Sequence, residues 1–392
     1  MQINDIILDC GVFGLTHSLH IDHGKVSTHE FTNCENNWVW SDENTHNSLK
    51  FLSLGSGFKV NDKPPNSHLS SWQMVGTTPP WAHALPPHVF KKWLQKFSAD
   101  LLELRDRWAD SYYGRDYQVQ QRLLQRLQQP HVDINVVKQI DDDRVAAFKP
   151  TDGDLAPRST YDIWSSVTGR MSIYDGPSIL TLDKQYRKIF KSRYADGKIL
   201  QIDFTSLEPC VCLAMQGKKF DGDAYAWAAE QVEVQVPREV LKTAIMSALY
   251  GMTPSNFAKK FADIPHANDL LFQVRDAFGV DAMTKKLREQ FDAEGHITNH
   301  FGRIIKCEKK SPFVAYAVQS TAVDVVCQGF THLLDELVGE QVQVTPLYLI
   351  HDALMVDLTP EAAQHLEARV KQGIYIPSLD CTMPLKLKTI DT

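Results

Sequence analysis

The chain has 392 residues, which is longer than one typical domain, so we expect two or three lobes. Its 43% hydrophobic and 10% aromatic content fits a globular protein, and its net charge of −7 gives no overall sign of a nucleic-acid binder. Seven cysteines without a CxxC pair argue against a disulfide framework or a zinc knuckle. The N-terminus lacks the pattern of a signal peptide, and no apolar run is long enough to span a membrane, so we expect no membrane association.

The N-terminal quarter differs in pattern from the rest of the chain. Residues 1 to about 60 alternate short apolar runs with Gly- and Asn-rich turns, which predicts a small β-rich module. Three Pro-Pro pairs between residues 63 and 87 predict a linker or an extended arm. Apolar residues at helical spacing over 89–104 and 117–129 then predict a helical hairpin.

After about residue 155, strands and helices alternate, which predicts an α/β architecture. The predicted elements are a strand over 198–204, helices between about 222 and 300, a helix over 315–334, a hairpin formed by 347–350 and 353–356, and an edge strand over 383–390.

One predicted helix carries Arg238, Lys242, Met246 and Tyr250 at every fourth position, so these side chains share a face. Two cations one turn apart repel each other unless an anion covers them, and a triphosphate would do so. Met246 and Tyr250 offer a soft apolar surface and a ring that suit a sugar and a base. A solvated amphipathic helix explains the spacing as well, so the helix alone leaves both interpretations open.

Two aspartates follow apolar strands: Asp203 near the end of one strand and Asp352 at the tip of the predicted hairpin. A carboxylate at the end of a buried strand is costly unless it is paired or binds a cation. Two converging carboxylates suit a pair of Mg²⁺ ions, which can activate a hydroxyl and stabilise a leaving pyrophosphate. Each aspartate alone fits a turn or cap residue; together with the cationic helix they predict nucleotidyl transfer.

Six short segments reinforce this hypothesis. They are Thr168-Gly-Arg170-Met-Ser172, Asp203-Phe-Thr-Ser-Leu-Glu208, Arg238 to Gly251, Phe301-Gly-Arg303, Val318-Gln319-Ser-Thr-Ala322 and Leu349-Ile-His351-Asp352. In sequence and order they resemble the motifs of the family A DNA polymerases, the group of bacterial DNA polymerase I and many phage replicative enzymes. Together they extend over about residues 160–390.

The resemblance implies a right-hand polymerase fold of the α/β (α+β) class. We expect a palm at 156–215 and 301–392, fingers at 216–300 and a reduced helical thumb at 91–155. Residues 1–90 would form the N-terminal module with its Pro-rich linker. Its role stays open among a DNA clamp, a docking domain and a degenerate remnant.

The resemblance also implies the catalytic residues. Asp203 and Asp352, with the Phe204 carbonyl, would hold two Mg²⁺ ions. Arg238 and Lys242 would hold the incoming triphosphate, and Lys242 would also protonate the pyrophosphate.

Further residues would contact the sugar, the base and the DNA. Glu208 would close off the 2′ position of the sugar, and Tyr250 would lie beneath the template base or nascent pair. Arg170 and Gln319 would contact minor-groove acceptors common to all base pairs. His351 would orient the primer end, and we also expect Arg303 to bind DNA.

Two departures from the family affect the expected activity. Ala353 stands where the family usually has a second acid, which is not the essential metal ligand. Met246 stands where the DNA polymerases of this family have Phe or Tyr, and methionine at this position resembles the related single-subunit phage RNA polymerases. Glu208, in contrast, favours deoxynucleotides. The choice of sugar therefore stays open.

The predicted function is template-directed DNA synthesis from dNTPs on primer-template DNA. We expect no proofreading exonuclease, because residues 1–90 are too short for that domain and lack a paired D-x-E. The short thumb predicts low processivity, and hence a processivity factor, a replisome protein or a separate exonuclease as partner. The expected setting is the cytoplasm of a bacterial host, with a phage origin. The alternatives are an RNA-synthesising or primer-making polymerase and a non-catalytic nucleic-acid-binding subunit of a replication complex.

Overall fold

The computed structural model describes residues 5–9, 19–22, 25–28, 37–41, 86–89, 91–92, 111–264 and 266–390. The chain divides into two compact units, residues 1–121 and 122–392. Most of the predicted Pro-rich linker and of the first thumb helix lies outside the described residues, so the predicted domain boundaries stay predictions.

The first unit contains a four-stranded sheet. Its strands are β1 (Asp5–Asp9), β2 (Leu19–Asp22), β3 (Lys25–Thr28) and β4 (Asn37–Ser41). The strand order is β3-β2-β1-β4, and β1 runs parallel to β4 but antiparallel to β2. These strands fall within the segment whose alternating apolar runs predict β structure.

The next elements along the chain are one longer helix and then several short strands and helices. Helix α1 (Tyr112–Arg126) covers the predicted second thumb helix and ends before Pro130. Next along the chain lie β5 (His131–Val132), α2 (Ile134–Gln139), α3 (Asp143–Ala146), β6 (Thr160–Asp162), β7 (Ser172–Asp175), a 3₁₀-helix (Lys184–Ile189) and β8 (Phe190–Lys191).

A four-stranded antiparallel sheet forms the centre of the second unit. It consists of β9 (Lys198–Phe204), β12 (Val344–Ile350), β13 (Ala353–Leu358) and β16 (Leu385–Thr389), in the order β12-β13-β9-β16. The predicted strand, hairpin and edge strand are therefore confirmed. The strands β9 and β13 consist mostly of apolar residues, and almost every residue in them is buried.

The helices of the second unit lie mostly between β9 and β12. They are α4 (Leu207–Met215), α5 (Ala224–Gln231), α6 (Arg238–Leu249), α7 (Pro254–Lys260), α8 (Ala267–Ala277), α9 (Val280–Glu294), α10 (Phe313–Gly339) and, after β13, α11 (Pro360–Val370). Two small hairpins complete the unit: β10 (Ile297–Thr298) with β11 (Ile304–Ile305), and β14 (Ile374–Ile376) with β15 (Cys381–Met383).

Packing on both faces of the central sheet fixes its position. The long helix α10 covers the face that carries Phe204, whose ring lies 5.0 Å from that of Phe330. On the other side, Ile199 joins a cluster with Phe148 and Phe190, whose rings meet edge to face at 5.3 Å. The architecture is thus the mixed α/β class predicted from the sequence. Within the described residues, no helix has the length and apolar character needed to cross a membrane.

Candidate active site

The register of the central sheet brings Asp203 and Asp352 together. Asp203 of β9 pairs with Ala353 of β13, and Asp352 directly precedes that residue. The backbone N–H of Phe204 donates to the carbonyl of Asp352 at 3.2 Å. The hairpin turns within two residues because His351 adopts a left-handed conformation with φ of 55°. Two distant aspartates therefore reach one end of adjacent strands.

Nearby lysines compensate the negative charge of the Asp203–Asp352 pair only in part. Burial raises the pKa of Asp352, and repulsion from Asp203 raises it further. Asp203 is paired with two lysines of β16: the ammonium of Lys386 lies 3.3 Å from its Oδ2, and Lys388 contacts the same oxygen. The sequence analysis missed both lysines, although their alternation along the predicted edge strand was a signal that they share one face.

The donor atoms at the carboxylate pair suit Mg²⁺. The described residues hold no cluster of three or more His, Cys, Asp or Glu side chains that could bind a metal. Mg²⁺ typically uses one or two carboxylates, with water and substrate phosphates completing its shell. Asp203, Asp352 and the neighbouring Phe204 all line one cleft of about 670 Å³. This set of hard oxygen donors fits Mg²⁺ in the presence of a phosphate-bearing substrate.

Helix α6 lines the same cleft with its cationic face. Arg238, Lys242 and Met246 border it, while Leu241 and Ile245 are buried on the other side of the helix. This distribution follows from the amphipathic spacing, because the apolar side packs against α8. Arg238, Lys242 and Tyr250 on this face are exposed, so the face is solvated where it borders the cleft, and both interpretations of the helix stay open.

Arg238 already has an anionic partner. Its guanidinium lies 2.5 Å from a carboxylate oxygen of Asp223 and 5.1 Å from the centroid of the Tyr225 ring. Asp223 also accepts hydrogen bonds from the backbone of Tyr225 at 3.1 Å and the hydroxyl of Ser206 at 2.9 Å. The sequence analysis did not identify Asp223, which orients the guanidinium at the cleft.

Four side chains predicted from separate motifs form one network. Glu208, in the first turn of α4, forms an ion pair with Arg170 and accepts a hydrogen bond from the Tyr250 hydroxyl at 3.1 Å. The amide of Gln319 on α10 donates to that hydroxyl. Burial raises the pKa of Glu208, and the positive charge of Arg170 opposes this shift. The network joins the turn 168–172, α4, α6 and α10.

The turn between β9 and α4 explains how Asp203 and Glu208 reach the same cleft. Ser206 adopts a left-handed conformation, with φ of 54°, directly before the helix begins. This conformation reverses the chain within two residues and starts α4 beside the strand end. The sequence analysis did not predict this feature, because a serine seldom adopts a positive φ.

Arg303 does not line the cleft, and its expected contact with DNA stays a prediction. The residue is 3% exposed, and its guanidinium lies 4.9 Å from the centroid of the Trp164 ring. It donates to the Ile163 carbonyl at 3.2 Å. A Cβ atom at Gly169 would clash with this guanidinium, so Arg303 lies directly under the turn that carries Arg170. Stacking on an aromatic ring and backbone hydrogen bonding explain its burial.

The other predicted site residues lie at or next to the cleft. Those that line it are Arg170, Asp203, Phe204, Glu208, Arg238, Lys242, Met246, Gln319, His351 and Asp352. Tyr250 reaches it through its hydrogen bonds to Glu208 and Gln319 and is 41% exposed.

Comparison with known proteins gives a sequence relative and a set of similar solved structures. No protein-family profile matches the chain. Over 221 residues the chain is 28% identical to the DNA polymerase of Mycobacterium phage L5. It resembles a phage DNA polymerase. The alignment covers 52% of this chain and 35% of that protein, so the chain spans about a third of the length of its relative.

One structural neighbour is the polymerase domain of Pol1 from M. smegmatis, solved in complex with DNA primer-template and dNTP. The TM-score is 0.48 at 14% sequence identity, and the superposition covers 83% of this chain and 55% of that chain.

Proposed function

We propose that this chain is a template-directed DNA polymerase that adds dNTPs to the 3′ end of a primer. The observation that carries this proposal is the meeting of Asp203 and Asp352 with Arg238 and Lys242 in one cleft. Paired carboxylates facing paired cations suit the transfer of a nucleotide from a triphosphate. The similarity to a phage DNA polymerase favours DNA synthesis among the reactions that such a cleft could perform.

Asp203, Asp352 and the Phe204 carbonyl would hold Mg²⁺, which when bound would supply charge stabilisation and activation of the primer hydroxyl. Arg238 would exchange its partner Asp223 for the triphosphate, which offers more acceptor oxygens. Lys242, one turn further along the cleft, would bind the same phosphates and give a proton to the departing pyrophosphate. Both cations lie on one rigid helix, so their spacing is fixed before the nucleotide arrives.

Recognition of the nucleotide and the DNA would use the network around Glu208. Its carboxylate is held by Arg170 and Tyr250 and lines the cleft, and it would exclude the 2′ hydroxyl of a ribonucleotide. Arg170 and Gln319 would contact minor-groove acceptors after leaving their present partners. His351, at the tip of the hairpin beside Asp352, would orient the primer end.

A primer-extension assay tests this proposal. With Mg²⁺ and dNTPs, wild-type protein is expected to extend a labelled primer, whereas Asp203→Asn and Asp352→Asn each lose at least about a hundredfold in rate. Asp276→Asn, which changes an exposed aspartate of α8, serves as the control. If either active-site variant extends primers as well as wild type, the assignment of the site is wrong.

Met246 favours a second candidate, an RNA-synthesising or primer-making polymerase, because methionine lines the cleft at the position that resembles the phage RNA polymerases. The same gel run with rNTPs, with and without a primer, separates the two reactions. Binding of primer-template DNA without incorporation of any nucleotide under any divalent metal would instead favour a non-catalytic subunit.

The predictions for residues 1–90 and for the thumb stay proposals, because most of those residues lie outside the described part of the chain. Degradation of a 5′-labelled primer without dNTPs would contradict the expected lack of proofreading. Product lengths under single-hit conditions measure the expected low processivity and the need for a partner.

A further inference from the structure

The edge strand β16 places a lysine on the free flank of the catalytic carboxylates. In the register of the central sheet, Ala353, Asp203 and Lys386 lie directly opposite one another on three neighbouring strands. Directly opposed residues point to the same face of a sheet. Asp203 therefore has a small apolar side chain on one flank and an ammonium on the other.

Lys386 interacts with both carboxylates. Its Nζ lies 3.3 Å from Oδ2 of Asp203, and its charge counteracts the rise in the pKa of Asp352. Its side chain is 45% exposed and lines the cleft, whereas the side chain of Asp203 is only 10% exposed. Lys388 touches the same oxygen from the diagonal position but does not line the cleft.

The face around Asp203 carries less negative charge than the family resemblance implies. Position 353, where the family usually has an acid, is an alanine with 1% exposure. Lys386 adds a positive charge on the opposite flank. Two carboxylates with the two ammonium groups of Lys386 and Lys388 attract a divalent cation less strongly than three carboxylates do.

We propose that Lys386 is a resident counter-ion of the Asp203–Asp352 pair that competes with divalent cations for Asp203. The inference rests on the proposed function, because it assumes that the two carboxylates bind a divalent ion. In the metal-free protein, Lys386 offsets the repulsion between the carboxylates. The ammonium would have to leave Asp203 for a divalent ion to be held by that carboxylate. Lys386 thus weakens metal binding and stabilises the metal-free site.

Mn²⁺ binding followed by electron paramagnetic resonance on the full chain tests this inference. Lys386→Gln is expected to bind Mn²⁺ about three- to tenfold more tightly than wild type at low ionic strength, with the gain reduced by salt. Its metal-free form is expected to melt at a lower temperature. A lysine with a purely structural role would lower the melting temperature without strengthening metal binding.

Lys198→Gln is the matched control, because it removes the same charge from an exposed residue at the opposite end of β9. The double variant Lys386→Gln with Asp203→Asn is expected to lose the gain, since Lys386 acts through Asp203. Unchanged or weaker Mn²⁺ binding by Lys386→Gln overturns the inference, as does a gain that persists without Asp203.

These outcomes are distinct from failure of the proposed function. If wild type extends primers and binds Mn²⁺ but Lys386→Gln behaves identically, the inference alone falls. If wild type neither binds Mn²⁺ at millimolar concentration nor extends primers, the inference falls together with the proposed function.

Discussion

Glu208 is the residue at which most of the predicted specificity contacts meet. Arg170 lies on one side of its carboxylate and Tyr250 on the other, and both partners oppose the rise in the pKa of Glu208 that burial causes. A carboxylate held in this way is rigid, and a rigid acid discriminates against an added hydroxyl by both sterics and desolvation. We therefore expect sugar selection to depend on these three side chains together.

Glu208→Ala is expected to reduce the preference for dATP over ATP by about tenfold or more, because the 2′ hydroxyl of ATP then meets open space in place of the carboxylate. Steady-state kcat/KM for incorporation of each nucleotide measures this ratio. Glu230→Ala, which removes an exposed glutamate from α5, is expected to leave the ratio unchanged. An unaltered ratio in Glu208→Ala would remove the assigned role.

We expect Arg303 to act on the site through Arg170. Its burial under the turn 168–172 makes it a support for Arg170, although the two arginines are far apart in sequence. Arg303→Lys is expected to lower the free energy of unfolding by about 2–4 kcal/mol, because an ammonium cannot replace the planar, stacked guanidinium. Thermal or urea unfolding measures this loss.

Kinetics distinguish support of Arg170 from a general loss of stability. With normal primers, kcat/KM is expected to fall in both Arg303→Lys and Arg170→Ala. With a primer whose terminal purine lacks the N3 acceptor, both variants are expected to match wild type more closely. Additive losses in the double variant would show that the two arginines act independently.

At the scale of elements, one glycine determines how closely α10 packs against the central sheet that carries Asp203. Gly329 on this helix faces the Phe204 ring: an added Cβ would lie 3.0 Å from Phe204 Cζ and 3.4 Å from Ile374. Both neighbours are fully buried. A glycine inside a helix is ordinarily unfavourable, so close approach of α10 to β9 explains its presence here.

Gly329→Ala is expected to lower the free energy of unfolding by about 1 kcal/mol, because the contact with Phe204 outweighs the gain in helix propensity. Gly339→Ala provides the matched comparison at the end of the same helix, where a Cβ meets nothing within 4 Å. That change is expected to be neutral or stabilising by up to about 1 kcal/mol. If both variants are equally stable, the close packing at Phe204 has no energetic effect.

The pairing of β5 with β8 is expected to depend on pH. Asp154 accepts from Lys191 and His131, each at 2.9 Å, and these bonds lower the pKa of Asp154 to about 2. Because this pKa lies below its value in the unfolded chain, the contribution to stability is present above about pH 4 and is lost as pH falls towards 2.

The difference in melting temperature between wild type and Asp154→Asn is therefore expected to shrink between about pH 4 and pH 2. The effect is small because these side chains are largely exposed to solvent. Asp292→Asn, at an exposed position of α9, is expected to show no such trend. A difference that stays constant over this range would contradict the assignment.

For the whole molecule, every side chain that lines the cleft belongs to the unit of residues 122–392. A fragment of residues 111–392, which keeps helix α1 intact, is therefore expected to fold and to incorporate single nucleotides with Mg²⁺. Circular dichroism and a single-nucleotide assay measure the two properties. A folded but inactive fragment beside an active full chain would show that residues 1–110 contribute to the chemistry.

Local patterns in the sequence predicted the strand that carries Asp203, the hairpin that carries Asp352 and the cationic face of α6. Each depends on a continuous apolar run or a helical period, which neighbouring residues determine. The contact of Lys386 with Asp203 and the burial of Arg303 depend instead on strand register and on an aromatic ring far away in sequence. Neither leaves a local pattern, so only the folded chain reveals them.

The hydrogen-bonded series from Arg170 through Glu208 and Tyr250 to Gln319 has a mechanical consequence. Tyr250 caps the end of α6, so the helix cannot swing away from α4 and α10 without breaking its bonds to Glu208 and Gln319 together. That movement would free the Gln319 amide, whereas Arg170 would keep its ion pair with Glu208. The hydroxyl of Tyr250 thus ties any displacement of α6 to the release of the Gln319 side chain, which is expected to contact the minor groove.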